Sequence, residues 1–138
     1  MSEDTAPTAD ATPSTRPVLD LVVLDCPDAT ALSSFYAEVL GWEMEEGSDD
    51  HWVTLQPLGE RRGRAALAFQ RIDDFVAPTW PGGSHPQQFH LDLQVDDLEA
   101  GERLVLAAGA RRHAVQPSQS GGFVVYLDPA GHPFCLVR

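Results

Sequence analysis

His90 is a residue whose type could do chemistry, unless the polar strand face that carries it is simply wet. It lies in the run Phe89-His90-Leu91-Asp92-Leu93-Gln94-Val95, where apolar and polar residues alternate strictly. Alternation with a period of two marks a strand with one buried face. Phe89, Leu91, Leu93 and Val95 are therefore expected to pack on helices, with His90, Asp92 and Gln94 on the opposite face. An imidazole there can hydrogen-bond an organic ligand, take part in acid–base chemistry or touch a metal ion.

Other side chains belong in the same discussion. Cys135 alternates with Phe134 and Leu136, so it shares a face with His90 if those two pack inward. No positive neighbour in the sequence would lower its thiol pKa, and a buried, inert cysteine is expected. Cys26 falls on an apolar face and reads as a small core residue. Gln70 either hydrogen-bonds a ligand or caps the end of its strand. Trp52, Phe123 and Tyr126 lie on strands, where aromatics usually serve the core. Trp80 lies in a loop with no periodicity to explain its burial, so it either covers a pocket mouth or anchors the loop. His85 and His132 flank prolines in turns and are expected at the surface, and His51 is given no role. Arg61, Arg62 and Arg64 read as a solvated hairpin tip. The glycines never form a GxGxxG phosphate loop, and no Ser/His/Asp triad can be assigned, because triads are recognised by geometry.

These residues need a scaffold, and the pattern supplies one twice. Residues 18–25 read as a strand. A helix over 28–40 follows, with Leu32, Phe35, Tyr36, Val39 and Leu40 on one face, Asp28 as N-cap and Gly41 as stop. Strands are expected at 42–45, 51–56 and 65–70. After a Pro- and Gly-rich loop at 76–86 the order restarts, with a strand at 88–95 and a helix at 97–108 ended by Gly109. Asp96 and Glu99 have capping-box spacing. Strands then follow at 111–115, 122–127 and 133–137. Leu21 and His90 correspond at an offset of 69, as do Asp28 and Asp97, so the chain carries an internal repeat. A lone half would expose one face of its sheet, so the halves must pair.

Bulk composition narrows the function. The 138 residues suit one domain, expected over 17–138 with modules 18–75 and 88–138, after a disordered tail at 1–16 rich in Thr, Ala, Pro and Asp. A net charge of -12 argues against a nucleic-acid surface. No apolar run suits a membrane helix and the first residues lack a signal-peptide pattern, so a cytoplasmic protein is expected. Two cysteines outside any CxxC pair make neither a disulfide framework nor a zinc ribbon.

The ordered set Asp25-Cys26-Pro27-Asp28, Phe35-Tyr36, Leu40-Gly41-Trp42, the run from His90 to Leu98, and Asp128-Pro129-Ala130-Gly131-His132-Pro133-Phe134 resembles the glyoxalase/bleomycin-resistance, or vicinal oxygen chelate, superfamily over about residues 18–138. That resemblance implies an α+β fold of two βαβββ modules, a curled mixed sheet around a pocket, and commonly a homodimer. It places the superfamily's metal-ligand positions at Leu21, near Ala68 or Gln70, at His90 and at Cys135. Leu21 cannot coordinate, and a Glu is common where Cys135 stands, so no tightly held catalytic metal is expected, only a weak divalent contact at His90. The pocket is then expected to bind a small organic molecule through His90, Asp92, Gln70, Cys135, Trp52 and Trp80, in the manner of resistance proteins that sequester drugs. The alternatives are an enzyme, glyoxalase-like or related to dioxygenases, that uses His90 with an atypical metal site, and a partner-binding module.

Overall fold

The computed structural model describes residues 15–59 and 64–138. Most of the expected tail and the Arg61–Arg62 pair lie outside them. The first module runs β1 (Leu21–Cys26), α1 (Ala29–Leu40), β2 (Glu43–Met44), β3 (Trp52–Gln56) and β4 (Ala66–Arg71). The second repeats it as β5 (Leu91–Gln94), α2 (Leu98–Ala108), β6 (Arg111–Arg112), β7 (Phe123–Leu127) and β8 (Pro133–Val137). Each module builds a four-stranded mixed sheet, in the orders β1-β4-β3-β2 and β5-β8-β7-β6. The first strand of each pairs in parallel with the last, β1 with β4 and β5 with β8. The repeat read in the sequence is thus a repeat of topology, with α+β architecture.

Local signals set the helix ends. The Asp28 carboxylate accepts from the Ala31 N–H at 3.0 Å, and Gly41 closes α1 at φ 69°, a left-handed conformation that glycine adopts without strain. In α2 the cap is Asp97, not Asp96. Its side chain accepts from the Glu99 N–H at 2.9 Å, so the box spacing counted from Asp96 starts one residue early.

One core lies between the sheets and both helices. Leu32, Phe35 and Tyr36 of α1 meet Leu55, Phe69, Tyr126, Phe134 and Leu136, all buried. The rings of Phe35 and Tyr36 sit 5.8 and 6.2 Å from that of Phe134, so the helix of one module packs on the last strand of the other. A buried polar link runs the same way: the Tyr36 hydroxyl donates to Asp128 Oδ2 at 2.7 Å. Asp128 Oδ1 accepts from the backbone N–H groups of Ala130 and His132, which holds the β7–β8 turn. Burial pushes the Asp128 carboxyl above its ordinary value and the Tyr36 hydroxyl well above its own.

Two expectations fail at strand starts. Phe89 was assigned to the helix-packed face, yet it is 90% exposed. β5 begins only at Leu91, opposite Phe134, because the preceding partner residue is Pro133, which has no N–H to extend the ladder. Val22 was placed with Leu24 and Cys26 against the helices. The latter two are buried, but Val22 is 37% exposed, at the start of a strand whose other edge is unpaired.

Candidate functional site

Alternation along three strands builds one wall. On β8, Phe134 and Leu136 enter the core, leaving Pro133, Cys135 and Val137 on the outer face; on β7, Phe123 and Val125 share that face. On β5, Leu91 and Leu93 pack inward while His90 and Asp92 point out. A cavity of about 310 Å³ lies over this face, closed on one side by Trp80. The loop carrying Trp80 is clasped by the Thr79 N–H donating to the His85 carbonyl at 2.7 Å and the His85 N–H donating to the Thr79 hydroxyl at 3.0 Å. The Trp80 ring meets the edge of His113 at 4.9 Å.

His90 Nε2 lies 3.2 Å from Asp92 Oδ1, and Cys135 stands directly across the ladder from Asp92. Burial, the Asp92 charge and a hydrogen bond to Asp92 push the Cys135 thiol up to about 11. At neutral pH it is a protonated, weakly nucleophilic group. Cys26 is likewise buried and pushed up to about 11, chiefly by burial.

Four of the six residues singled out in the sequence, His90, Asp92, Cys135 and Trp80, therefore meet in one cavity. Gln70 and Trp52 do not join them. They pair with each other across β3 and β4 on the first sheet, where Gln70 is exposed and the Trp52 indole donates to the Thr54 hydroxyl at 2.8 Å.

His132 is also not the surface residue expected. Its Nε2 lies 2.6 Å from the Asp25 carbonyl, which can only accept, so Nε2 carries the proton; its ring packs on Phe75 at 5.5 Å. This ties the β7–β8 turn to β1. Gln87, missed in the sequence because it lies in the irregular approach to β5, lines the cavity beside His90. Its Oε1 is the buried side-chain polar atom that has no hydrogen-bond partner among the described residues.

The donor atoms of His90, Asp92 and Cys135 all lie within 4.8 Å of one another. Their chemistry does not fit a hard divalent centre, which takes several nitrogen and oxygen donors. Only His90 and Asp92 offer nitrogen and oxygen donors here, and the matching face of the first sheet carries Leu21, Ala66 and Ala68, which offer none. A second group of donors, Asp49, Asp50 and His51, is fully exposed, and Arg71 reaches both Asp50 and His51.

The fold has many solved relatives. A glyoxalase/bleomycin resistance protein/dioxygenase family enzyme from Burkholderia phytofirmans PsJN superposes with a TM-score of 0.63 at 21% identity, covering 87% of this chain and 97% of that one. A glyoxalase family protein from Enterococcus faecalis gives 0.60 at 21%, covering 90% and 98%. A mutant of the fosfomycin resistance protein FosX from Listeria monocytogenes, complexed with Mn(II) and 1S,2S-dihydroxypropylphosphonic acid, gives 0.62 at 15%, covering 86% and 87%. No curated protein sequence matches significantly. The family model for the glyoxalase-like domain matches residues 21–137. With its repeated βαβββ modules and the match along both of them, the chain belongs to the glyoxalase-like domain family of the vicinal oxygen chelate superfamily.

Proposed function

We propose that this protein binds a small organic molecule over the second sheet and sequesters it, within a single domain over residues 17–138. The observation that carries this reading is the cavity itself. Phe123, Val125 and Val137 give it an apolar floor, Trp80 an aromatic wall, and His90 with Asp92 a polar edge. A few polar groups on an apolar surface are what orient a small ligand. Acridine, a flat heteroaromatic, is a suitable first probe. Calorimetry is expected to show binding that falls about tenfold or more in Trp80→Ala, which removes the stacking wall. In His90→Ala it should fall about fivefold, the worth of one hydrogen bond, with the melting temperature barely changed because His90 is exposed. Binding unaffected by either change would remove the site.

An enzyme is the second reading, favoured by the close set of His90, Asp92 and Cys135. Protein purified without chelators is expected to hold no stoichiometric zinc, nickel, iron or manganese, given Leu21, Ala68 and Cys135 at the superfamily's ligand positions. A metal-to-chain ratio near one, lost in His90→Ala, would favour the enzyme.

The chain is also proposed to be a cytoplasmic homodimer. Val18 and Leu19, just before β1, are exposed apolar surface that a second copy would cover. No helix among the described residues is long and apolar enough to cross a membrane. Light scattering at high micromolar concentration should give twice the chain mass; a monomer there would count against the dimer.

A further inference from the structure

A second, larger cavity of about 680 Å³ lies between β1 and the approach to β5. Gln87, His90 and Pro133 line both it and the cavity over the second sheet. The two cavities adjoin at these three residues and together make a groove. Its far end is apolar, with Val22, Val23, Phe75 and the fully offered Phe89.

Apart from the imidazoles of His85, His90 and His132, the ionisable groups that give this groove its charge are carboxylates. Asp25 and Asp74 line the larger part and Asp92 the smaller. Among the described residues no arginine lines either part, and the chain contains no lysine. Arg71 is engaged elsewhere with Asp50 and Asp73, and Arg112 with Glu102. Among the described residues no arginine pairs with Asp25, Asp74 or Asp92, and Asp92 meets only His90 and the Cys135 thiol. The junction adds Gln87 Oε1, an acceptor still without a donor. Carboxylates at the edge of a low-dielectric cleft favour a cationic ligand and repel an anionic one. Aromatic walls at Trp80 and Phe75 add cation–π attraction.

We propose that the groove selects elongated organic cations, an apolar or aromatic body carrying an amine or ammonium group, and rejects anionic ligands such as phosphonates. The proposal rests on the ligand-binding reading above and narrows it to one charge class. Three probes share one flat three-ring body: 9-aminoacridine is positive at neutral pH, acridine neutral and acridine-9-carboxylate negative. Calorimetry is expected to show 9-aminoacridine binding about tenfold or more tighter than acridine, and the carboxylate not binding. The double variant Asp25→Asn with Asp74→Asn should weaken 9-aminoacridine about tenfold and leave acridine unchanged. The exposed double variant Glu38→Gln with Glu46→Gln, which removes the same charge elsewhere, should change neither. Acridine binding as tightly as 9-aminoacridine, yet lost in Trp80→Ala, would overturn the charge selection and keep the site. Equal weakening by the Glu38 and Glu46 changes would overturn it too, by showing attraction to net charge alone. If none of the probes binds, both the selection and the ligand-binding reading fall.

Discussion

Asp128→Ala is expected to cost about 3 kcal/mol or more, because the Tyr36 hydroxyl and two backbone N–H groups all lose their acceptor in a buried place. In a domain of this size that lowers the melting temperature by something on the order of 10 °C. Asp128→Asn keeps an acceptor for the turn and should lose far less. The pair also separates charge from hydrogen bonding. Burial is the largest influence on the Asp128 carboxyl and holds it above its ordinary 3.8. A carboxyl raised in the folded state binds more protons folded than unfolded. Its contribution is therefore complete below about pH 4 and lost as the pH rises through the folded value. Asp128→Asn, which cannot ionise, should gain on the wild type as the pH rises from 4 towards 7, read by urea unfolding at each pH. A difference that stays flat over that range would mean the carboxyl is not held up by burial.

Phe134→Ala should be comparably severe, about 3–5 kcal/mol. The side chain is fully buried and its ring meets three others, Phe35 at 5.8 Å, Tyr36 at 6.2 Å and Tyr126 at 5.6 Å. Truncation leaves a cavity where the two modules meet. Its neighbour Cys135 faces the cavity over the second sheet instead, so Cys135→Ala should cost about 1 kcal/mol or less. Urea titration of both variants checks the alternation. Similar losses for the two would mean that β8 does not present opposite faces to core and cavity.

Much of this was legible in the sequence, and the reasons are specific. The period of 3.6 in Leu32, Phe35 and Tyr36 located α1, and the period of two in Leu91–Leu93 and Phe134–Leu136 assigned the faces of β5 and β8. That is why His90, Asp92 and Cys135 could be expected on one surface. Phe89 broke the rule because alternation counts residues, not hydrogen bonds, and the ladder stops at Pro133. Gln70 was grouped with His90 on the family resemblance, which sets a ligand position near it, and Trp52 as a strand aromatic; neither signal says which space a sheet face meets. The roles of His132 and Gln87 depend on contacts with Asp25, Phe75 and the loop before β5, which no local pattern encodes.

The Tyr36–Asp128 hydrogen bond joins residues 92 positions apart in the chain. It couples the modules in the energetics of opening as well as in space. Neither half can expose its core without stripping the other of a buried partner, so the repeat should behave as one cooperative folding unit. Native-state hydrogen exchange would register this as amides of β4 and β8 opening with the same free energy, that of global unfolding. Because the contacts that stabilise the fold span both modules, the chain must close long loops before they form, which places its folding towards the slower end for its size.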